Sequence, residues 1–279
     1  MISAMDLKGR NLIISGATRG IGLAIALRAA KDGANVTVLG KTKEPHPKLP
    51  GTIDTACEKI TQAGGQALGV VCDIRDEQQV EDAVQQSVSR FGGIDILVNN
   101  ASAIHLAGTL ETSLKKFDLM QQVNARGTYL CAQKCIPHLR KSAHAHILTM
   151  SPPLDLRPEY FEKHVAYSIA KFSMSLCTLG WAKELAKDSI AANSLWPRTL
   201  IDTSAVRNLL GGEAVARQGR TPKIVADAAY EIVTRSCKFT GNFVMDDELL
   251  REKGIDLDQY SVTPGQRLLP DLFVPESLE

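Results

Sequence analysis

Short apolar runs alternate with segments of helical period along most of the chain. Strand-like runs fall at residues 11–15, 35–39, 67–72, 94–98, 146–150, 190–195 and 242–245. Helical period marks 20–31, 53–63, 76–91, 111–140, 164–187 and 222–236. Their apolar positions recur at three and four residues, as on a helix with one buried face. The segment 111–140 is expected to bend near Gly127. The strands read as nearly continuous apolar runs, the pattern of strands covered on both faces.

Strand, helix, strand in alternation predicts an α/β fold with a parallel sheet. Right-handed crossovers make it doubly wound, with helices on both faces and mostly seven parallel strands. No repeat, linker or low-complexity block divides residues 1–279, so one domain is expected. Two segments break the rhythm. Residues 41–51 carry Pro45, Pro47 and Pro50 and are expected as an extended loop. The tail from about 247 shows no clear period and is expected to be irregular.

Composition adds exclusions. Of 279 residues, 44% are hydrophobic and 23% charged, enough for a sizeable core and too apolar for general disorder. A net charge of +1 supplies no field for nucleic acid or an anionic membrane. The six cysteines include no Cys-x-x-Cys and are expected to be reduced, in a cytoplasmic protein. No stretch is long enough for a membrane span, no apolar leader stands at the N-terminus, and Ser277-Leu278-Glu279 is no peroxisomal signal. His144 and His146 are the one histidine pair with ligand spacing, but they flank the fifth strand and are expected to pack at a strand end, so no metal site is predicted.

Candidate chemistry starts after the first strand, at Ser15-Gly16-Ala17-Thr18-Arg19-Gly20-Ile21-Gly22. Glycines there tighten the turn and let backbone N–H groups approach a pyrophosphate at a helix N-terminus. Gly16, Thr18, Arg19, Gly20, Ile21 and Gly22 are therefore candidate dinucleotide ligands. At the end of the second strand, an NAD site carries an acid for the ribose hydroxyl. Here the chain reads Leu39-Gly40-Lys41-Thr42. Lys41 and Arg19 are expected to bracket a 2′-phosphate, which favours NADP(H).

Tyr167 and Lys171 lie four residues apart and share a helix face. A neighbouring ammonium is expected to lower the phenol's pKa and fit it for proton transfer.

In the order of these motifs the chain resembles the short-chain dehydrogenase/reductase family, from Leu7 to about Met245. The resemblance implies a Rossmann fold and a nicotinamide cofactor. It implies further cofactor contacts from Asp73 and Ile74, and from Asn100, Ala101 and Ser102, with Ser102 where glycine is usual. Pro197, Thr199, Ile201 and Thr203 match the nicotinamide loop. Asn124 matches the catalytic asparagine, Tyr167 and Lys171 the catalytic pair, and Lys171 would also hold the nicotinamide ribose. The proline-rich insert and Ser151-Pro152-Pro153 resemble one branch of the family. A homodimer or homotetramer is implied, pairing through the helix of Tyr167, which is apolar on more than one face.

Two positions depart from the pattern. The catalytic serine after the fifth strand falls on Pro152 or Leu154, leaving Ser151 as the nearest hydroxyl. Arg198 replaces a glycine and is expected to narrow the nicotinamide side or meet a substrate anion. His164 is a candidate for the substrate entrance. A lid at 199–212 carries Leu200, Ile201, Val206, Leu209 and Leu210, which favour an apolar alcohol or carbonyl substrate. The sequence thus reads as an NADP(H)-dependent short-chain alcohol dehydrogenase or carbonyl reductase. The rival is a nucleotide-binding protein that has lost catalysis and serves as sensor or assembly partner.

Overall fold

The central strands of the sheet are sandwiched. β1 (Asn11–Ser15) shows why: Leu12 and Ile14 enter one apolar layer and Ile13 the other. Strand side chains alternate between faces, so a strand covered twice must be apolar throughout. In this computed structural model, residues 6–45, 50–209 and 211–274 are described. Residues 46–49 of the proline-rich insert, Leu210 of the expected lid and 277–279 lie outside them.

The chain runs from β1 to α1 (Gly20–Ala30), β2 (Asn35–Gly40), α2 (Ile53–Gln62), β3 (Gln66–Val71), α3 (Glu77–Phe91) and β4 (Ile96–Asn99). It continues through α4 (Leu114–Met120), α5 (Thr128–Leu139), β5 (Ala145–Met150), α6 (Val165–Glu184) and β6 (Ile190–Trp196). α7 (Ser204–Leu209), α8 (Gly212–Ala216), α9 (Lys223–Val233), β7 (Phe243–Met245) and α10 (Asp246–Glu252) complete it. The sheet has seven parallel strands in the order β3-β2-β1-β4-β5-β6-β7. α1, α2, α9 and α10 cover one face, with Ile25, Ile60, Ile232 and Leu250 buried. α3, α5 and α6 cover the other, with Val84, Leu130, Cys135 and Trp181. Strand order reverses between β1 and β4, and a doubly wound sheet opens its ligand crevice at that point.

Three expectations need correction. The tail from 247 is not irregular at its start. α10 follows β7 directly, and Asp246, Asp247 and Glu248 in its first turn suit a helix N-terminus. The helix expected over 111–140 is divided by a π-helical turn, Gln121–Gly127, set between α4 and α5. A Cβ at Gly127 would stand 2.7 Å from Ile74 Cδ1, so a larger residue there would have to displace the Ile74 side chain. The lid residues Leu200, Ile201 and Val206 are buried within the protein itself, so they do not argue for an apolar substrate. The loop after β2 has no helix where it is described, and Thr52 ends it by capping α2 through a reciprocal pair with Thr55.

All six cysteines are free. His144 and His146 stack at 4.5 Å where β5 begins, and Cys237 Sγ lies 3.8 Å from His146 Nε2. Burial, then His144, lowers the His146 pKa from 6.5 to about 3, against a backbone carbonyl at Arg235 that raises it. Between those values the unfolded chain binds a proton here and the folded chain does not. Stability is therefore full above pH 6.5 and falls as the pH drops toward 3, by up to about 1.4 kcal/mol per pH unit. Urea unfolding across that range should show the slope, and His146→Asn should flatten it.

Candidate active site

The glycine loop is held from its neighbour strand. Ser15 Oγ accepts from the N–H groups of Asn100 and Ala101, both at 3.0 Å. Asn100 Nδ2 donates to the carbonyls of Ser15 at 2.9 Å and Gly16 at 3.1 Å. Gly16 and Gly20 have φ of +69° and +57°, the left-handed region. A Cβ on Gly22 would lie 2.5 Å from Asn100 Nδ2 and 2.7 Å from the Gly16 carbonyl. No side chain caps α1, whose first N–H groups face a cavity of about 690 Å³. Thr18, Arg19, Ile21, Lys41, Asp73, Ile74, Ala101, Ser102 and Thr203 line this cavity with Gly16 and Gly20. A bare backbone cradle at a helix N-terminus fits a dinucleotide's pyrophosphate.

At the end of β2, Lys41 is exposed and its Nζ lies 3.5 Å from Asp73 Oδ2. Arg75 grips the same carboxylate, and with Lys41 lowers the Asp73 pKa to about 2, against burial that raises it. Arg19 is less available than expected. Its Nε donates to the Pro50 carbonyl at 2.9 Å, and one terminal nitrogen to Thr42 Oγ1 and the Gly51 carbonyl. It anchors the end of the insert beside the glycine loop.

Tyr167 and Lys171 are almost fully buried on α6. Lys171 Nζ donates to the Met150 carbonyl at 2.5 Å and lies 4.9 Å from the Trp196 ring. Burial pushes its pKa down, opposed by Asp271. The Tyr167 phenol moves opposite to expectation. Burial and then Asp271 push its pKa well up, and a hydrogen bond with Ser102 opposes them. The Lys171 ammonium is turned to Met150, so desolvation of the phenolate dominates. Asn124 Oδ1 accepts from Ala103 N–H at 2.7 Å, and its Nδ2 donates to the Ala103 carbonyl at 2.9 Å. The asparagine of the π-turn thus clamps the loop after β4.

Two candidates lie elsewhere. Ser151 is buried, its Oγ 2.7 Å from Ser194 Oγ, and Ser194 Oγ donates to the Ser151 carbonyl. That bracket engages the hydroxyl with β6, and the Pro152 carbonyl accepts from Ser175 Oγ. Arg198 meets no open substrate face. Its Nε donates to Asp247 and its terminal nitrogen to Glu248, both at 2.7 Å, tying it to α10.

Residues 269–274 form a strap across the site that the sequence analysis missed. The Leu269 carbonyl accepts from Leu200 N–H, Asp271 N–H donates to the Arg198 carbonyl, and Trp196 Nε1 donates to the Leu272 carbonyl. Pro270 bridges Thr199 in antiparallel fashion. Pro197 and Thr199 are buried there, as is Ile201 in the core. Phe273 stacks on Tyr167 at 5.9 Å and meets Trp196, Phe172 and Tyr160 at 5.8, 5.3 and 6.2 Å. The run Leu268-Leu269-Pro270-Asp271-Leu272-Phe273-Val274, apolar within a polar tail, was the available signal. A second cavity of about 720 Å³ lies beside the strap, lined by Tyr160, His164, Leu200, Val215 and Phe273. His164 is placed there as expected of an entrance residue. Burial pushes the Asp271 carboxyl up, with Asp246 adding to it and Lys171 opposing.

Known proteins share this arrangement. The family profile described as short chain dehydrogenase matches residues 10–213. Hydroxysteroid dehydrogenase-like protein 2 of Xenopus laevis is 58% identical over 274 residues, covering 98% of this chain and 65% of that protein. The Homo sapiens protein of the same name is 54% identical, over 97% of this chain and 64% of its own length. This chain therefore spans about 65% of the length of such relatives. A crystal structure from Xanthomonas campestris, of a protein designated a dehydrogenase, superposes with a TM-score of 0.94 at 54% identity, over 98% of this chain and all of that one. A short chain dehydrogenase of Mycobacterium thermoresistibile gives 0.93 at 50% identity, over 97% of each chain. With the family profile matched over residues 10–213 and the whole fold superposing at 54% identity, the chain belongs to the short-chain dehydrogenase family.

Proposed function

We propose that the chain is an NADP(H)-dependent oxidoreductase that interconverts an alcohol and a carbonyl on an apolar substrate. The observation that carries this reading is the buried Tyr167–Lys171 pair, whose phenol meets Ser102, a residue on the wall of the glycine-loop cavity. The nicotinamide of a bound dinucleotide supplies or accepts the hydride. Tyr167 gives its proton to the carbonyl oxygen as the carbon gains the hydride, and takes it back in the reverse direction. Lys171 sits one helical turn on from the phenol with its Nζ held by the Met150 carbonyl, and Asn124 fixes the loop after β4. Lys41, with no acid at the end of β2, supports NADP(H) over NAD(H). Tyr160, Val215, Leu272 and Phe273 around the second cavity support an apolar substrate such as a fatty, terpenoid or steroid-like carbonyl.

The test is loss of NADPH absorbance with a panel of aliphatic, terpenoid and steroidal carbonyls, and its gain with NADP⁺ and the matching alcohols. Turnover with NADPH ahead of NADH supports the reading. Tight NADPH binding without turnover favours the non-catalytic nucleotide-binding alternative. Absence of binding to either dinucleotide refutes both. Lys41→Glu should weaken NADPH more than NADH, by roughly tenfold for one lost phosphate contact.

The outer face of α6 supports a homodimer or homotetramer. Ile169, Leu176 and Leu179 are 42%, 57% and 50% exposed, with Tyr129 of α5 also exposed. Sedimentation should give a mass above the monomer, and Leu176→Glu with Leu179→Glu should lower it. Six free cysteines fit the reducing cytoplasm, and no helix among the described residues is long and apolar enough to cross a membrane.

A further inference from the structure

A carbonyl oxygen that gains charge has room for two donors, and Tyr167 supplies one. The hydroxyls near the pair are mostly spent. Ser151 is bracketed by Ser194, Ser168 donates to the Tyr160 carbonyl at 2.6 Å, and Ser175 donates to the Pro152 carbonyl. The Thr199 hydroxyl has no partner, but it is buried where Pro270 crosses it. Ser102 differs on each count. It is exposed, it lines the glycine-loop cavity, and it meets Tyr167 through its side chain.

Its position is also fixed from both sides. Ala101, one residue before, gives its N–H to Ser15 Oγ. Ala103, one residue after, has both its N–H and its carbonyl held by Asn124. A hydroxyl between two such clamps is preorganised and loses little on binding substrate. The loop after β4 thus carries a hydroxyl beside the phenol, while the one at the end of β5 is engaged with β6.

We propose that Ser102 is the second hydroxyl donor of the catalytic centre, donating to the oxygen that carries charge as Tyr167 moves its proton. The inference rests on the alcohol–carbonyl reading above. No bond to Ser102 forms or breaks. Its proton stays on its own oxygen, and Tyr167 remains the acid.

Ser102→Ala should lower kcat at saturating NADPH by roughly 10²–10³, beyond any change in NADPH affinity, the loss seen when one charge-stabilising donor is removed. Ser102→Gly should behave alike, and Ser102→Thr should restore much of the rate. Alcohol oxidation by Ser102→Ala should need a higher pH, because the phenolate has lost a donor. A kcat for Ser102→Ala close to the parent's would overturn the proposal, and so would a larger loss in Ser151→Ala than in Ser102→Ala. A second readout needs no turnover. In fluorotyrosine-labelled protein, the Tyr167 resonance is identified by its absence in Tyr167→Phe. It should shift in Ser102→Ala, and an unmoved resonance also overturns the proposal. If the parent protein turns over no carbonyl, the alcohol–carbonyl reading fails and the donor role falls with it, while the resonance still decides the contact.

Discussion

Tyr167→Phe should lose about 10³-fold in kcat, within the range ascribed to a positioned proton donor, while still binding NADPH. The ring remains, so its stack on Phe273 and its burial survive. Only the hydroxyl goes, and with it the proton and the contact to Ser102. The direction of the phenol's shift adds a pH signature. A pKa pushed up keeps Tyr167 protonated across the neutral range, so carbonyl reduction should show no loss assignable to this group there. Alcohol oxidation needs the phenolate and should climb with pH, by roughly tenfold per unit while the phenol stays mostly protonated. Stopped-assay pH profiles in both directions check this. Retention of most of the rate by the Phe variant would remove Tyr167 from the chemistry.

Phe273→Ala should destabilise the protein by about 3 kcal/mol, the lower end for truncating a buried phenylalanine. Four aromatic rings face this side chain, and it is buried. Its backbone sits at φ +65°, unfavourable for a residue with a Cβ by about 1 kcal/mol or more. The ring contacts have to outweigh that cost, and alanine keeps the strain while losing the rings. Urea unfolding measures the difference. The variant should also admit water to Tyr167 and Lys171, so kcat/KM should fall beyond any change in cofactor affinity. A change in stability below about 1 kcal/mol would mean that the strap is not packed over the site in solution.

The frame of the molecule was legible because its signals are local. A strand covered on both faces has to be apolar, and a helix with one buried face has to repeat at three and four. Hence β1 was read to the residue, and most other ends fell within a few residues. The glycine loop was legible for the same reason, since its conformations and close approaches leave room for little else. What escaped depends on distant partners. The π-turn accompanies Asn124 reaching Ala103 across the loop after β4. Arg198 was read as narrowing the nicotinamide side or meeting a substrate anion, yet its acids arrive on α10, some fifty residues on. Ser151 had the right neighbourhood, but its hydroxyl is engaged by Ser194 on β6. Tyr167 was read from its spacing to Lys171, but burial sets its proton affinity more than that spacing does.

The strap also has a consequence in time. Residues 269–274 leave the ribosome last of the parts described here, after every strand and helix has been made. A growing chain can therefore close its sheet, build its glycine loop and hold a dinucleotide while Tyr167 still faces water. Catalytic competence should then appear as a late and separate event in synthesis. By the same logic, cleavage between α10 and the strap would silence the chemistry before it unravelled the fold.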